Sequence, residues 1–227
     1  MKTLFEKYDS IVFLDTETTG LNFEKDQIIE LAAILCVCTE NGIKIVKEMD
    51  DLIRLPEGQT LPPEIVSLTH ITDEMLQTEG VSLAESAKKF SAFLQNGKTL
   101  LCAYNAQFDL NYLFYFLHRE NLSCCLKGVE MLDALTVYKD RHEYPHKLEN
   151  AIEVYNLGDQ VVNSHRAIDD TKALLRVMLA MGKEEQDLTQ YINLFGYNPK
   201  YGVSGKKIGS VTYAPQPYRH TKKLYES

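Results

Sequence analysis

The chain has 227 residues, of which 44% are hydrophobic, 10% aromatic and 25% charged, and its formal net charge is −8 at pH 7. These fractions are those of an ordinary globular protein, so they exclude collagen-like, low-complexity and wholly disordered chains. The purely apolar runs are far shorter than the roughly 20 residues that a membrane-spanning helix needs, so we expect no membrane partner.

The first part of the chain is dominated by strand patterns. Asn41-Gly42 is a strong signal for a two-residue hairpin, because both positions tolerate positive φ. Ser82 with Glu85 forms a capping pattern that predicts a helix to about residue 95, and Pro62-Pro63 precedes another short helix. Apolar, β-branched runs predict buried strands at 10–14, 27–37 and 43–55.

The second part alternates helices with strands. The same patterns predict strands at 99–103 and 126–131, and helices at 106–119, 133–140, 147–156, 167–181 and 184–195. Three meandering strands followed by this alternation predict an α/β fold, in which helices flank the faces of a mixed sheet.

The composition changes near residue 195, where hydrophobic periodicity ends and Gly, Pro, Tyr and Lys become frequent. We therefore predict one domain over 1–195 and a basic, Tyr/Pro/Gly-rich extension over 196–227. From residue 198 onward the chain has six basic residues and one acidic residue, interleaved with tyrosines. That composition suits single-stranded nucleic acid, and it equally suits a segment that wraps around its own domain.

Five cysteines occur without a Cys-x-x-Cys pair, and no signal-peptide pattern follows Lys2. This usage is typical of reduced thiols rather than of disulfides or a zinc site, so we expect a cytoplasmic protein. The acidic body cannot attract a polyanion through its overall field. A nucleic-acid substrate would therefore need bound cations or local donors.

Acidic residues stand where the apolar pattern leaves little room for them. Asp15 and Glu17 follow the first strand two residues apart, so both side chains point the same way. Asp109 opens an almost wholly apolar helix, and a buried carboxylate without a partner is costly. Helical spacing places Asp170 on a buried stripe and Asp169 on the solvated side. Hard divalent cations prefer such clusters of oxygen ligands.

Together these segments resemble the three motifs of the DEDDh 3′–5′ exonucleases. The matching pieces are Asp15-x-Glu17, Asn105-x-x-x-Asp109, and His165 with Asp170 five positions later. This DnaQ-like group includes the proofreading epsilon subunit of bacterial DNA polymerase III. The resemblance implies a ribonuclease H-like fold and two Mg²⁺ or Mn²⁺ ions held by Asp15, Glu17, Asp109 and Asp170. It also makes His165 the general base.

The activity implied by the resemblance is hydrolysis of 3′ ends to nucleoside 5′-monophosphates, with single-stranded DNA favoured over RNA. Two metal ions can stabilise the attacking and the leaving oxygen, and an imidazole with an ordinary pKa of about 6.5 can accept the proton of water. Proofreading or repair, with a DNA polymerase subunit as partner, fits this activity. The resemblance also implies substrate contacts from Thr18, Leu21, Thr69, His70 and Asn105.

Two other functions remain open at this point. The segment Leu14-Asp15-x-Glu17-x-Thr19 loosely resembles the first motif of aspartate-nucleophile phosphatases, although those enzymes place Asp where Glu17 stands. A non-catalytic, polymerase-associated nucleic-acid-binding module would use the same fold without hydrolysis.

Overall fold

The computed structural model describes residues 1–162, 164–196, 203, 205–216 and 222–226. Its strands are β1 Ser10–Thr18, β2 Ile28–Thr39, β3 Gly42–Leu52, β4 Thr99–Ala103 and β5 Glu130–Asp133. Within the described ranges they form one five-stranded sheet in the order β3-β2-β1-β4-β5. The pairs β1–β2 and β2–β3 are antiparallel, and β1–β4 and β4–β5 are parallel. The predicted α/β class with a mixed sheet is confirmed.

Helices cover both faces of this sheet. None of the described helices is both long enough and apolar enough to cross a bilayer. The helices are α1 Lys2–Phe5, α2 Pro63–Thr69, α3 Asp73–Thr78, α4 Leu83–Ser91, α5 Ala106–Arg119, α6 Ala134–Arg141, α7 Leu148–Val154 and α8 Ala167–Glu184.

The central strand β1 shows how the core is divided. Ile11 and Phe13 pack into a cluster with α6, α7 and α8, whereas Val12 and Leu14 pack into a second cluster with α4 and α5. All four side chains are fully buried, and each stabilises the fold by about 1.5–3 kcal/mol relative to exposure. Both faces therefore fix the position of β1, and with it the positions of Asp15 and Glu17 near its C-terminal end.

The predicted strand at 126–131 is wrong in its position. Residues Ser123–Leu126 form a 3₁₀ turn, and the strand begins only at Glu130. Gly128 lies between them with φ +76, a left-handed conformation that interrupts an extended strand. The apolar run was a sound signal for burial, since Leu126 and Met131 are both buried, but the glycine divides it into two elements.

The predicted helix at 184–195 is also wrong, because only the 3₁₀ turn Leu188–Tyr191 forms there. The backbone of Glu185 is extended and ends α8. Asn193 instead pairs with β5: its N–H donates to the carbonyl of Met131 (2.8 Å), and its Oδ1 accepts from the N–H of Met131 (3.0 Å). The hydrogen bonds between Asn193 and β5 therefore outweigh the helix propensity of residues 184–195. The short helices α1 and α3 had no prediction.

The described part of the C-terminal extension packs against the domain. Ile208 and Val211 are buried in the α4–α5 core cluster, and the ring of Tyr213 lies 4.9 Å from that of Phe195. These contacts favour the wrapping interpretation for residues 205–216. The division at residue 195 stays a prediction, and several of the tyrosines and basic residues named for the extension lie outside the described residues, namely Tyr197, Lys200, Tyr201, Tyr218 and Arg219.

The cysteines of the chain are Cys36, Cys38, Cys102, Cys124 and Cys125, and all are free thiols. Burial raises the pKa of the Cys36, Cys102 and Cys125 thiols, which keeps them protonated. These three cysteines contribute to packing rather than to chemistry.

Candidate active site

Asp15 and Glu17 lie two residues apart near the C-terminal end of the central strand β1. Asp15 pairs with Ala32 of β2, and Glu17 pairs with Glu30. Thr16 lies between the two acids, and its Oγ1 donates a hydrogen bond of 2.8 Å to Oδ1 of Asp109. This bond ties the start of α5 to β1 within the same small region.

Two helices supply the other carboxylates. Asp109 lies in the first turn of α5 and is 2% exposed, and Asp170 lies in the first turn of α8 and is 6% exposed. The N-terminal turn of a helix favours negative charge through its free amide groups. The N–H of Ser164 donates to Oδ1 of Asp170 (3.2 Å), while its hydroxyl donates to Asp169 (2.7 Å).

The imidazole of His165 reaches the same region from the segment before α8. Its backbone φ is +55, an uncommon conformation for a residue with a side chain, and such strain is concentrated at functional sites. One ligand atom each of Glu17, His165 and Asp170 lies within 4.8 Å of the others. Asp15, Asn105, His165 and Asp170 line a cavity of about 500 Å³.

The carboxylates repel one another because they are close and poorly solvated. Burial raises the pKa of Asp15 well above its usual range, with repulsion from Asp109 and Asp170 adding to it. Burial, with repulsion from neighbouring carboxylates, raises the pKa of Glu17 to about 8. Burial also raises the pKa of Asp109 to about 7 and that of Asp170 to about 7. Burial and mutual repulsion both favour the protonated forms of these acids, and a cation bound nearby would oppose that effect.

The donor set fits divalent metal ions. Glu17 and Asp170 offer carboxylate oxygens close to a ring nitrogen of His165. Mg²⁺ and Mn²⁺ both accept oxygen ligands of this kind. The pKa values of Asp15, Glu17, Asp109 and Asp170 are all raised, so positive charge bound nearby would stabilise their ionised forms.

The raised pKa values predict how the stability of the metal-free protein depends on pH. In the unfolded chain these acids titrate near pH 4, whereas in the folded chain Glu17, Asp109 and Asp170 titrate near 7 to 8. The folded state therefore binds more protons between those values, and its stability falls as the pH rises. We expect the melting temperature in EDTA to be lower at pH 8.0 than at pH 5.5.

Adding Mg²⁺ or Mn²⁺ at pH 8.0 should restore the lost stability, because the ions stabilise the ionised acids. Calorimetry in EDTA and in excess metal measures both effects. Glu17→Gln serves as the matched variant, in which the pH dependence should be smaller. A melting temperature in EDTA that rises from pH 5.5 to pH 8.0 would contradict the assignment of the cluster.

Glu30 is a functional candidate that the sequence analysis missed. It is completely buried in β2, yet it accepts hydrogen bonds from the Nε of Arg166 (2.9 Å) and from the N–H of Ala167 (2.8 Å). Arg166 also pairs with it through Nη2 at 2.7 Å. These donors follow His165 directly, so Glu30 fixes the segment that carries the imidazole. The argument applied to Asp109, an acid within an apolar run, would have identified Glu30 too.

Asp133 is a second missed residue. Its carboxylate is fully buried at the end of β5 and accepts from the N–H groups of Asn105 (3.0 Å) and Ala106 (3.2 Å), which begin α5. It also accepts from the Leu135 N–H, the Thr136 hydroxyl and the Gly196 N–H. Asp133 therefore positions the helix that carries Asp109 rather than acting at the site itself.

The residues expected to contact substrate differ in how accessible they are. Leu21 is 85% exposed at the loop after β1, and Asn105 lines the cavity. The hydroxyl of Thr18 is used within the loop, where it donates to the Gly20 carbonyl (2.7 Å). Thr69 is fully buried and its hydroxyl donates to the Ile65 carbonyl, whereas His70 is exposed with φ +59. The substrate contacts of Thr18, Leu21, Thr69, His70 and Asn105 stay predictions.

Similarity to known proteins agrees with this arrangement. A family model described as RNase_T, exonuclease, matches residues 12–178. The chain is 31% identical over 189 residues to the DNA polymerase III subunit epsilon of Treponema pallidum (strain Nichols), and the match spans 78% of this chain and 80% of that protein. It is 30% identical over 207 residues to the PolC-type DNA polymerase III of Clostridium perfringens (strain 13 / Type A), spanning 88% of this chain but 13% of that polymerase.

Solved structures of exonuclease I share the fold. One described as suggesting how processivity is achieved has a TM-score of 0.69 at 21% identity, covering 81% of this chain and 43% of that one. Exonuclease I of E. coli in complex with a dA16 oligonucleotide has a TM-score of 0.68 at 19% identity, covering 81% and 42%. At these identities the likeness establishes the fold alone, and this chain spans less than half of exonuclease I.

Proposed function

The chain belongs to the DnaQ-like exonuclease family, and we propose that it removes nucleotides from the 3′ ends of single-stranded nucleic acid by metal-dependent hydrolysis. One observation carries this proposal. Asp15 of β1, Asp170 of α8 and His165 line one cavity, although Asp15 and Asp170 are 155 residues apart in sequence. Glu17 offers a ligand atom within 4.8 Å of those of His165 and Asp170, and Asp109 of α5 is close enough to Asp15 to raise its pKa. No structural need of the core explains such a costly cluster.

The proposed metal ligands are Asp15, Glu17, Asp109 and Asp170. Two bound divalent ions would supply Lewis-acid stabilisation of the charge that develops on the phosphate. Thr16 would hold Asp109 in orientation through the 2.8 Å bond, and Ser164 would do the same for Asp170 through its backbone N–H. These contacts exist in the folded chain, so the ligands are oriented in advance.

His165 would act as the general base. A ring nitrogen accepts a proton from the attacking water, whose oxygen forms the new bond to phosphorus. The bond from phosphorus to the 3′ oxygen of the preceding nucleotide breaks, and its electron pair stays on that oxygen. The product is a nucleoside 5′-monophosphate. His165 is exposed, so water can reach it.

The exposed Leu21 would pack against the terminal bases, and Thr18 would act through the loop backbone that its hydroxyl organises. Asn105 would support the phosphate end, and His70 would contact the terminal nucleotide from the end of α2. Deoxyribonucleotides are the favoured substrate because exonuclease I, which shares the fold, has been observed with a dA16 oligonucleotide.

A DNA polymerase is the proposed partner. The similar protein from Treponema pallidum is a polymerase III subunit, and the PolC-type polymerase matches this chain over a small part of its own length. An exonuclease that corrects or trims ends beside a polymerase would account for both similarities. The non-catalytic module is the alternative with the same partner but without hydrolysis.

The test uses single-stranded DNA and RNA of one sequence, labelled at the 5′ end, with Mg²⁺, Mn²⁺ or EDTA. We expect a ladder that shortens from the 3′ end, faster on DNA than on RNA, and abolished by EDTA. A second sample labelled at the 3′ end should release labelled mononucleotide from the start. Internal cleavage, shortening from the 5′ end or full activity in EDTA would overturn the proposal, and trapping of an aspartyl-phosphate would favour the phosphatase instead.

A further inference from the structure

The cavity at the acidic cluster extends well beyond the proposed reacting groups. It has a volume of about 500 Å³, within the range of sites that bind small organic ligands. We call the part of its lining that belongs to the acidic cluster the inner end, namely Asp15, Asn105, His165 and Asp170. We call the part that comes from α6 and from the segment at the start of α7 the outer end, which includes Leu135, Tyr144, His146, Lys147 and Leu148.

Three residues of this outer end, Tyr144, His146 and Lys147, form what we call the outer rim. The ring of Tyr144 is 84% exposed, which is unusual for so large an apolar surface, and it lies edge-on to His146 with centroids 5.8 Å apart. Lys147 is exposed and pairs with Glu149 at 3.3 Å. A surface ion pair of this kind is weak, so a phosphate can replace the carboxylate.

The outer rim is held at a fixed place relative to the acids. The hydroxyl of Tyr104 donates to the carbonyl of His146 (2.8 Å), and Tyr104 directly precedes Asn105. A ring nitrogen of His146 bonds to the carbonyl of His142 (2.9 Å). The backbone N–H of Lys147 donates to Oδ1 of Asn150 at the start of α7 (3.0 Å). A ligand that spans the cavity therefore meets two ends at a set separation.

The two ends differ in chemistry in the way that a single strand requires. The inner end is acidic and needs cations before it can accept a phosphate. The outer rim offers an exposed aromatic ring beside a cation, the combination that binds single-stranded nucleic acid by base stacking and phosphate pairing. Thr18 at the end of β1 and Leu21 in the loop after it, the proposed contacts of the terminal nucleotide, do not belong to this rim.

We propose that the outer rim binds the strand upstream of the scissile phosphate, with Tyr144 stacking on a base and Lys147 pairing with a backbone phosphate. This inference rests on the proposed exonuclease function and adds to it a site that the reaction itself does not need. Binding at the outer rim makes the affinity for the substrate depend on the length of the strand and leaves the chemical step unchanged.

The test compares a substrate that reaches the rim with one that cannot. The long substrate is a single-stranded decathymidylate, and the short one is the 4-nitrophenyl ester of thymidine 5′-monophosphate, which has one nucleotide and no upstream strand. For Tyr144→Ala we expect KM for the decamer to rise on the order of tenfold, with kcat and all constants for the ester unchanged. Lys44→Ala on the exposed part of β3 is the control and should change neither substrate.

Lys147→Ala gives an independent readout. Loss of one phosphate contact should reduce the slope of log KM against log salt for the decamer by about 0.7. Equal effects on the decamer and the ester would overturn the proposal. They would mean that the rim contacts the terminal nucleotide or that the substitution disturbs the fold. Unchanged decamer kinetics in both variants would overturn it as well. If the parent protein hydrolyses neither substrate, the proposed function itself fails, and that outcome is distinct from these.

Discussion

Asp15→Asn is expected to make the metal-free protein more stable while it abolishes hydrolysis. Asparagine has the shape of the protonated acid, so it removes the cost of keeping Asp15 either charged or protonated among Asp109 and Asp170. We expect the melting temperature in EDTA at pH 8.0 to rise by on the order of 5 °C, since 1 kcal/mol is worth about 2–4 °C in a chain of this size.

The same change should lower kcat by at least about 10³-fold, because bound cations supply several kcal/mol and each 1.36 kcal/mol is tenfold in rate. Exonuclease assays and calorimetry on one preparation measure both quantities. Asp159→Asn, at an exposed aspartate outside the cluster, is the control and should alter neither. An Asp15→Asn protein that is less stable in EDTA, or that retains activity, would show that this carboxylate is structural rather than a metal ligand.

His165→Gly is the second change with a large expected effect. Removal of a general base lowers the rate by about 10²–10⁴-fold. Glycine is chosen because φ at this position is +55, which glycine adopts without strain, so the fold should be preserved or slightly stabilised. KM for oligonucleotides and the stabilisation by Mg²⁺ should change little, because the acids remain in place.

Free imidazole should restore part of the rate of His165→Gly, since it can occupy the space left by the side chain and accept the proton. A residue that only supports the fold would not be rescued in this way. The control is His118→Ala, at another exposed histidine, which should keep full activity. Alanine is used there because His118 lies in helix α5, where glycine would be destabilising. Failure of imidazole to raise the rate, together with a loss of metal stabilisation, would point to His165 as a ligand instead.

The sequence alone identified candidate site residues from local signals, and it placed some of the elements around them wrongly. Asp15, Glu17, Asp109 and Asp170 were selected because they are acids beside or within apolar patterns, and His165 was selected from its spacing to Asp170. Helical spacing also separated the buried Asp170 from Asp169. These signals are local, so a single sequence contains them.

The misplaced elements depended on contacts between distant segments. The segment at 184–195 has helical composition, but Asn193 pairs with Met131 more than 60 residues away, and Arg141 binds the carboxylates of Glu184 and Asp187. Likewise, Glu30 was taken as part of a buried strand because its partner, Arg166, lies 136 residues further along. Local patterns do not contain pairings of that range.

The two hydrogen bonds and the ion pair that Glu30 makes with Arg166 and Ala167 have a consequence for how the proposed metal site responds to chelation. The loop that presents His165 is anchored to β2 by protein groups alone. The loop is therefore ordered when the protein folds, and cation binding does not have to supply the free energy of ordering it. We expect metal ions to rebind rapidly after chelation without moving the backbone of this loop. Chelation should therefore stop activity reversibly and should not unfold this part of the protein.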